Sequence, residues 1–242
     1  MTLKAAVVIP VLDEAATIGA VVREIPREVV HDIIVADGGS RDGTPDVARA
    51  AGARVITPSV GGYGRACAEG AAAAAPDCGI IVFMDGDGAD RGDLMALLVE
   101  PIRDGTHDFV IASRTRGVRE PHAMSWHQIA AGWFAGIGMS LLYRVRYSDM
   151  CAYRAIRRDA LEDLDMREMT YGWNIEMQMK AARQGLRIQE LPMPYRCRAG
   201  GTSKVAGNLS GSIKAAVRIV ATFIRVSIQQ RTAPTLAMRE SP

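Results

Sequence analysis

The first 112 residues alternate short, nearly continuous apolar runs with segments of helical length, and few architectures accept that pattern. The runs are "AAVVIP" (5–10), "DIIVAD" (32–37), "ARVIT" (53–57), "GIIVFMD" (79–85) and "DFVIAS" (108–113). They are short and rich in β-branched residues, as strands buried on both faces should be. Between them lie 15–27, 44–51, 64–75 and 90–102, mostly rich in Ala, Leu, Val and Arg. Strand–helix alternation predicts an α/β fold, a mostly parallel, Rossmann-like sheet flanked by helices. Ligands of such sheets bind at the carboxyl ends of the strands. The polar residues that follow each run are therefore the ones that carry function.

Asp13 and Glu14 follow the first run, and "ADGGSRDGT" with Asp37 follows the second. Asp85-Gly86-Asp87 follows the fourth, and Ser113-Arg114 the fifth. Singly, each is a serviceable turn or cap, Asp37 and Ser40 above all. Together on one rim, beside Gly-rich turns, they read as a nucleotide and metal site. Two carboxylates as close as Asp85 and Asp87 raise each other's pKa unless a positive charge sits between them, and a divalent cation is the usual answer. A calcium EF-hand loop is excluded, because Ala89 and Asp90 stand where it needs Asp or Asn and then Gly. A dinucleotide fingerprint is excluded too, since "VLDEAA" has no glycine, and there is no P-loop.

Composition limits the classes further. With 48% hydrophobic and 23% charged residues, the chain is an ordinary globular one. Four scattered cysteines without C-x-x-C spacing argue against a zinc knuckle or a disulfide framework and suit a reducing compartment. No leader is expected, since "MTLKAAVVIP" enters the first strand almost at once. The apolar core of 121–143, "IAAGWFAGIGMSLLY", makes a helix of roughly 22 Å, short of the ~30 Å of bilayer hydrocarbon. Residues 191–239 hold eight basic residues and no acidic one, so the rest of the chain is net acidic. Such a one-sided tail suits phosphate or an anionic surface, or else a solvated basic face.

From about Ala5 to about Gly211 the sequence resembles the family 2 glycosyltransferases of GT-A fold, most closely the dolichyl-phosphate mannose synthase, or polyprenyl-phosphate glycosyltransferase, branch. "VVIPVLDEAATIGAVV" resembles the family's opening motif, with Asp13 where Asn is usual. "IIVADGGSRDGTPDVA" resembles its second motif, and "GGYGRACAEGAAAA" is similar to its Gly-Lys-Gly-rich segment, with Arg65 in a basic position. "FMDGDGAD" resembles the metal-binding D-x-D, with Ala89 where the branch often has Gln. "IASRTRG" is similar to its Gly-Ser-Arg motif and "YSDMCAYRAIRRDAL" to its D-x-x-C-G-F-R segment. "RAGGTSK" (198–204) fits R-x-x-G-x-S-K.

The resemblance implies a hexosyltransferase that moves a sugar from a nucleotide sugar, of GDP-mannose or UDP-glucose type, to a dolichyl or undecaprenyl phosphate. It implies Mg²⁺ or Mn²⁺ held by Asp85 and Asp87. The donor side would comprise Pro10, Asp13, Glu14, Asp37, Gly39, Ser40, Arg65, Asp85, Gly86, Asp87, Arg198 and Lys204. Arg198 and Lys204 would clamp the diphosphate, or else be exposed loop charges. A lipid monophosphate is largely ionised at neutral pH and needs a cationic socket more than a base. Arg114 is the candidate socket, with Ser113, Arg116 and Arg154 beside it. Asp149 is a candidate positioning group or base, and Glu176 either joins it or is an ordinary helical acid.

The membrane question rests on 207–231, where Leu209, Ile213, Ala216, Val220 and Ile224 recur at helical steps. Lys214, Arg218 and Arg225 fall within about 40° of one another at 100° per residue. This is the form of a basic amphipathic helix on an anionic membrane surface. The alternative is a helix packed on its own domain or on a partner subunit of a homo-oligomer. The segment around Trp126 and Trp133 reads either as a second interfacial helix or as a core helix. The expected organisation is a GT-A domain over 1–205, the amphipathic helix over 206–231 and a tail over 232–242. The expected location is cytoplasmic, peripheral on the inner membrane face, with no nucleic acid as partner. The alternatives are transfer to a soluble or glycan hydroxyl, and a nucleotide-sugar-binding module without turnover.

Overall fold

A computed structural model describes residues 3–124, 126–200 and 209–232. Lys204 and the segment 233–242 lie outside them. Seven strands form one sheet in the order β3-β2-β1-β4-β6-β5-β7. They are β1 (Lys4–Val11), β2 (Val30–Asp37), β3 (Arg54–Ile56), β4 (Cys78–Phe83), β5 (Phe109–Ser113), β6 (Arg154–Arg157) and β7 (Ile188–Pro192). The five expected strands are all present, and β1 is parallel to both β2 and β4. β6 runs antiparallel between β4 and β5, pairing Arg154 with Phe83 and with Ile111. This insertion separates β4 from β5 and sets the Asp85–Asp87 turn and Arg114 on two sides of one opening.

The helices are α1 (Ile18–Glu24), α2 (Thr44–Ala50), α3 (Tyr63–Ala73), α4 (Ala96–Arg103), α5 (Trp126–Tyr143), α6 (Arg158–Asp163), α7 (Trp173–Arg183) and α8 (Leu209–Thr232). Strand residues such as Val7, Val8, Ile34, Ile80 and Ile81 are fully buried, each contributing roughly 1.5–3 kcal/mol of burial. The Ala-rich α3 lies close on the sheet: a Cβ at Gly70 would come within 2.3 Å of Val8 Cγ1. Glycines likewise seat α5, whose Gly136 would bring a Cβ within 2.1 Å of the Tyr147 carbonyl oxygen.

Both α5 and α8 turn one face inward and leave an apolar face outside. On α8, Ala215, Thr222 and Val226 are buried, whereas Val217, Val220, Ile224 and Ile228 are exposed. At 100° per residue these two sets fall on opposite sides of the helix. Arg225 belongs to neither set, since it reaches Glu176 at 3.2 Å and Glu168 at 3.6 Å. On α5, Gly132, Gly136 and Met139 are buried and Trp126, Trp133, Phe134, Ile137 and Leu141 are exposed. The two helices meet at Gly138, where a Cβ would lie 2.6 Å from Phe223 Cζ. No helix among the described residues is long and apolar enough to cross a membrane.

The far end of the sheet is tied by Asp108, which accepts from Arg187 at 2.7 Å and from Arg157 at 2.9 Å. The hydrogen bond from Arg187 holds its carboxyl down at about 2. A depressed carboxylate pKa stabilises the fold above the unfolded value near 4, and the contribution disappears as pH falls towards 2. With Arg187 half exposed, solvent screening leaves roughly 1–2 kcal/mol. Asp108→Asn is expected to lower Tm by a few degrees at pH 7 and by progressively less below pH 4. A Tm difference that persists at pH 2 would assign the effect to packing rather than charge.

Candidate active site

A cavity of about 620 Å³ opens at the carboxyl ends of β1, β4 and β5. Pro10, Glu14, Asp85, Gly86, Asp87, Arg114 and Arg198, all singled out in the sequence, line it. So do Tyr63, Tyr171, Asn174 and Tyr195, which the sequence did not mark, together with Ala215 and Ile219 of α8.

The acidic turn is built tightly. Thr17 Oγ1 donates to the Gly86 carbonyl at 2.7 Å, and a Cβ on Gly86 would lie 2.6 Å from Val11 Cγ1. Gly88 takes φ +80°, which turns the chain so that Asp87 Oδ1 accepts from the Ala89 amide at 2.9 Å. Burial and, after it, the Asp87 charge push the Asp85 carboxyl up to about 6. Asp90, buried behind the turn, accepts from the Asp85 amide at 3.1 Å. Burial raises its carboxyl well above the ordinary range.

Cations face these acids. Arg198 donates to Glu14 Oε1 at 2.8 and 2.9 Å, and its Nε lies 3.5 Å from Asp87 Oδ2. Arg114 makes a two-pronged ion pair with Asp149, 2.7 Å from Nε to Oδ2 and 2.7 Å from Nη2 to Oδ1. Its guanidinium lies 5.2 Å from the centre of the Tyr195 ring. Asp149 is 1% exposed, so it orients Arg114 and is not open to the cavity as a base.

Other expected contacts fall elsewhere, each for a physical reason. Arg154 is fully buried, and donates to the carbonyls of Cys151, Ala152 and Asn174. It is therefore a brace between β6 and α7 and does not reach an acceptor. Glu176 is also fully buried. It pairs with Lys180 and Arg225, both at 3.2 Å, and accepts from the Arg167 and Glu168 amides. Ser113 has no exposure, and its hydroxyl lies 2.6 Å from that of Ser148. Arg65 sits in the first turn of α3, partly exposed and 3.9 Å from Glu69, while Tyr63 and Ala66 line the cavity.

Asp37 caps the turn beside the cavity, accepting from the Gly39 amide at 3.2 Å and from the Ser40 amide and hydroxyl. Gly39 has φ +97° there, and it is Gly38 that reaches the cavity wall. Asp13 locks the same turn by accepting from the Arg41 amide at 2.9 Å while its own amide donates to Ser40 Oγ at 2.8 Å.

The glycosyl transferase family 2 profile matches residues 6–165. A Mycobacterium tuberculosis protein named only as an uncharacterized glycosyltransferase is 36% identical, over 86% of this chain and 92% of its own length. A dolichyl-phosphate hexose transferase from Haloferax volcanii is 35% identical, over 81% of this chain and 85% of its own. Among solved structures, M. tuberculosis glucosyl-3-phosphoglycerate synthase in complex with Mn²⁺, UDP-glucose and phosphoglyceric acid superposes with a TM-score of 0.73. It is 24% identical, and the match covers 93% of this chain and 80% of that one. That likeness is one of fold.

Proposed function

Because this chain belongs to glycosyl transferase family 2, we propose that it moves a hexose from a nucleotide sugar to a polyprenyl phosphate at an anionic membrane surface. The observation that carries the lipid acceptor is the pair of outward apolar faces on α5 and α8. Trp126 and Leu141 are each 80% exposed, and α8 also contributes Ala215 and Ile219 to the cavity. Surfaces of this kind mark interaction sites. Arg144 and Arg146 after α5, with Lys214 and Arg218 on α8, are exposed beside them and suit anionic headgroups. The dolichyl-phosphate hexose transferase supports the same acceptor class.

The chain's residues fit a divalent cation. Asp85 and Asp87 are hard oxygen donors on one turn, and a cation between them would offset the burial and the Asp87 charge that together raise the Asp85 carboxyl. Among the described residues no third His, Cys, Asp or Glu completes a site, so diphosphate and water oxygens would supply the remaining ligands, as is usual for Mg²⁺. When bound, the cation would stabilise charge growing on the leaving diphosphate. Arg198 would shift from Glu14 and Asp87 towards that diphosphate, its planar fork suiting phosphate oxygens. Arg114 would hold the acceptor phosphate, whose ionised oxygen attacks without a base.

A soluble phosphorylated acceptor is the second reading. It is favoured by the likeness to glucosyl-3-phosphoglycerate synthase and needs the same cation at Arg114. Purified protein with Mn²⁺ and UDP-glucose or GDP-mannose separates the two. Transfer to a short prenyl phosphate and not to 3-phosphoglycerate supports the lipid, and the reverse overturns it.

The membrane face has its own test. The protein is expected to float with vesicles containing anionic lipid, with a blue shift of tryptophan fluorescence. Val220→Ser with Ile224→Ser should weaken this at every ionic strength. Lys214→Gln with Arg218→Gln should remove roughly 2 kcal/mol, at about 1 per residue. That second effect should fade near 1 M salt, where the screening length is about 3 Å. Arg225 is left intact, since its ion pairs hold α8 in place. Vesicle binding indifferent to both pairs would reassign the faces to a subunit contact.

A further inference from the structure

We infer that Glu190, on β7, is a positioning residue for Arg114 and acts through the main chain of Asp149. Residues 144–153 connect α5 to β6 without a strand or helix of their own, so their backbone groups need outside partners. Glu190 supplies two. Its Oε1 accepts from the amides of Ser148 at 2.9 Å and Asp149 at 3.2 Å. From the other side, Gln178 of α7 donates from Nε2 to the Asp149 carbonyl at 2.9 Å. Asp149 is thus gripped at both main-chain ends by elements of the rigid frame.

The grip passes directly to Arg114. The Asp149 carboxylate accepts from the Arg114 amide at 2.9 Å as well as from its guanidinium, so a displaced Asp149 carries the fork with it. β5 and β7 are in register with Ile111 opposite Glu190, which puts the brace beside the strand that ends one residue before Arg114. The Glu190 side chain is 7% exposed and its nearest cation, Arg116, stands 3.6 Å away. A buried carboxylate is stable when hydrogen-bonded, and here backbone amides make the closer contacts, so its role is geometric. Catalytic placement is sensitive on this scale, since a 1 Å error can cost about 100-fold in rate. The inference rests on the proposed working position of Arg114, but not on the class of acceptor.

The test uses the full chain with ¹⁵N-labelled arginine, the Nε–H resonance of Arg114 being identified by its loss in Arg114→Lys. Glu190→Ala should shift or broaden that resonance. With Mn²⁺, UDP-glucose or GDP-mannose and whichever phosphorylated acceptor the parent uses, it should also lower kcat for nucleoside diphosphate release at least tenfold, at unchanged donor KM. Glu190→Gln keeps an oxygen for both amides and should restore the resonance and most of the rate. Gln178→Met should move the same resonance in a fold that keeps Glu190, and it decides the matter if Glu190→Ala does not fold. An Arg114 resonance unmoved in Glu190→Ala and Gln178→Met, or a Gln variant no better than Ala, overturns the proposal. A wrong acceptor class would instead leave the resonance contrast intact while abolishing transfer to prenyl phosphate in the parent.

Discussion

Asp87→Asn is expected to abolish metal-dependent donor binding and to lower kcat/KM by about 1,000-fold or more, roughly 4 kcal/mol of transition-state stabilisation. The substitution removes one of two carboxylates from the proposed cation site, leaving Asp85 to hold it with half the charge. The fold should survive, because the Asn oxygen can still accept from the Ala89 amide that Asp87 Oδ1 engages at 2.9 Å. Arg198 loses only a 3.5 Å contact there and keeps Glu14. Calorimetry with UDP or GDP, with and without EDTA, gives the decisive comparison. Parent and variant binding nucleotide equally well in both conditions would remove the cation from this turn. An unchanged Tm alongside lost binding would confirm that the defect is local.

Arg114→Ala is the second large effect, and it has two parts. Transfer to lipid phosphate should fall at least about 100-fold while nucleotide affinity stays near the parental value, because the proposed contact is with the acceptor. Stability should fall as well, by about 3–5 kcal/mol, since Asp149 is left as a buried carboxylate without its partner. Adding Asp149→Asn should recover much of the stability and none of the transfer, which separates the two parts. Lys should rescue poorly, because one ammonium cannot reproduce the fork that meets both oxygens of Asp149. Equal losses of nucleotide affinity and transfer would place Arg114 on the donor instead.

Both predictions start from residues visible in the sequence, but the stability part of the second depends on a partner that only the fold supplies. Asp149 and Arg114 are 35 positions apart, and no local pattern records that they neutralise each other. The same limit hid β6. "RAIR" reads as a polar stretch, yet Arg154 is fully buried because backbone carbonyls accept its donors. Glu176 is open in a related way, since the sequence allows either a site acid or an ordinary helical one, and Lys180 and Arg225 beside it favour the second. Tyr195, Asn174 and Glu190 carried no signal, as each acquires its role from a neighbour remote in the chain.

The tail divides along the same line. The periodicity of 207–231 determined that a helix would form and that it would carry basic residues along one side. It left open which face would meet the protein, because both faces hold apolar residues. Packing decided that Ala215, Thr222 and Val226 turn inward, and that Arg225 serves Glu168 and Glu176.

By itself, then, the sequence determined what depends on neighbours along the chain. That includes strands made of β-branched runs, the Gly-flanked acids at their ends, and the helices set by apolar spacing. Only the tertiary structure decided which charges meet. Ion pairing and burial depend on distance in space, and a sheet ordered β3-β2-β1-β4-β6-β5-β7 brings together groups that the chain keeps far apart.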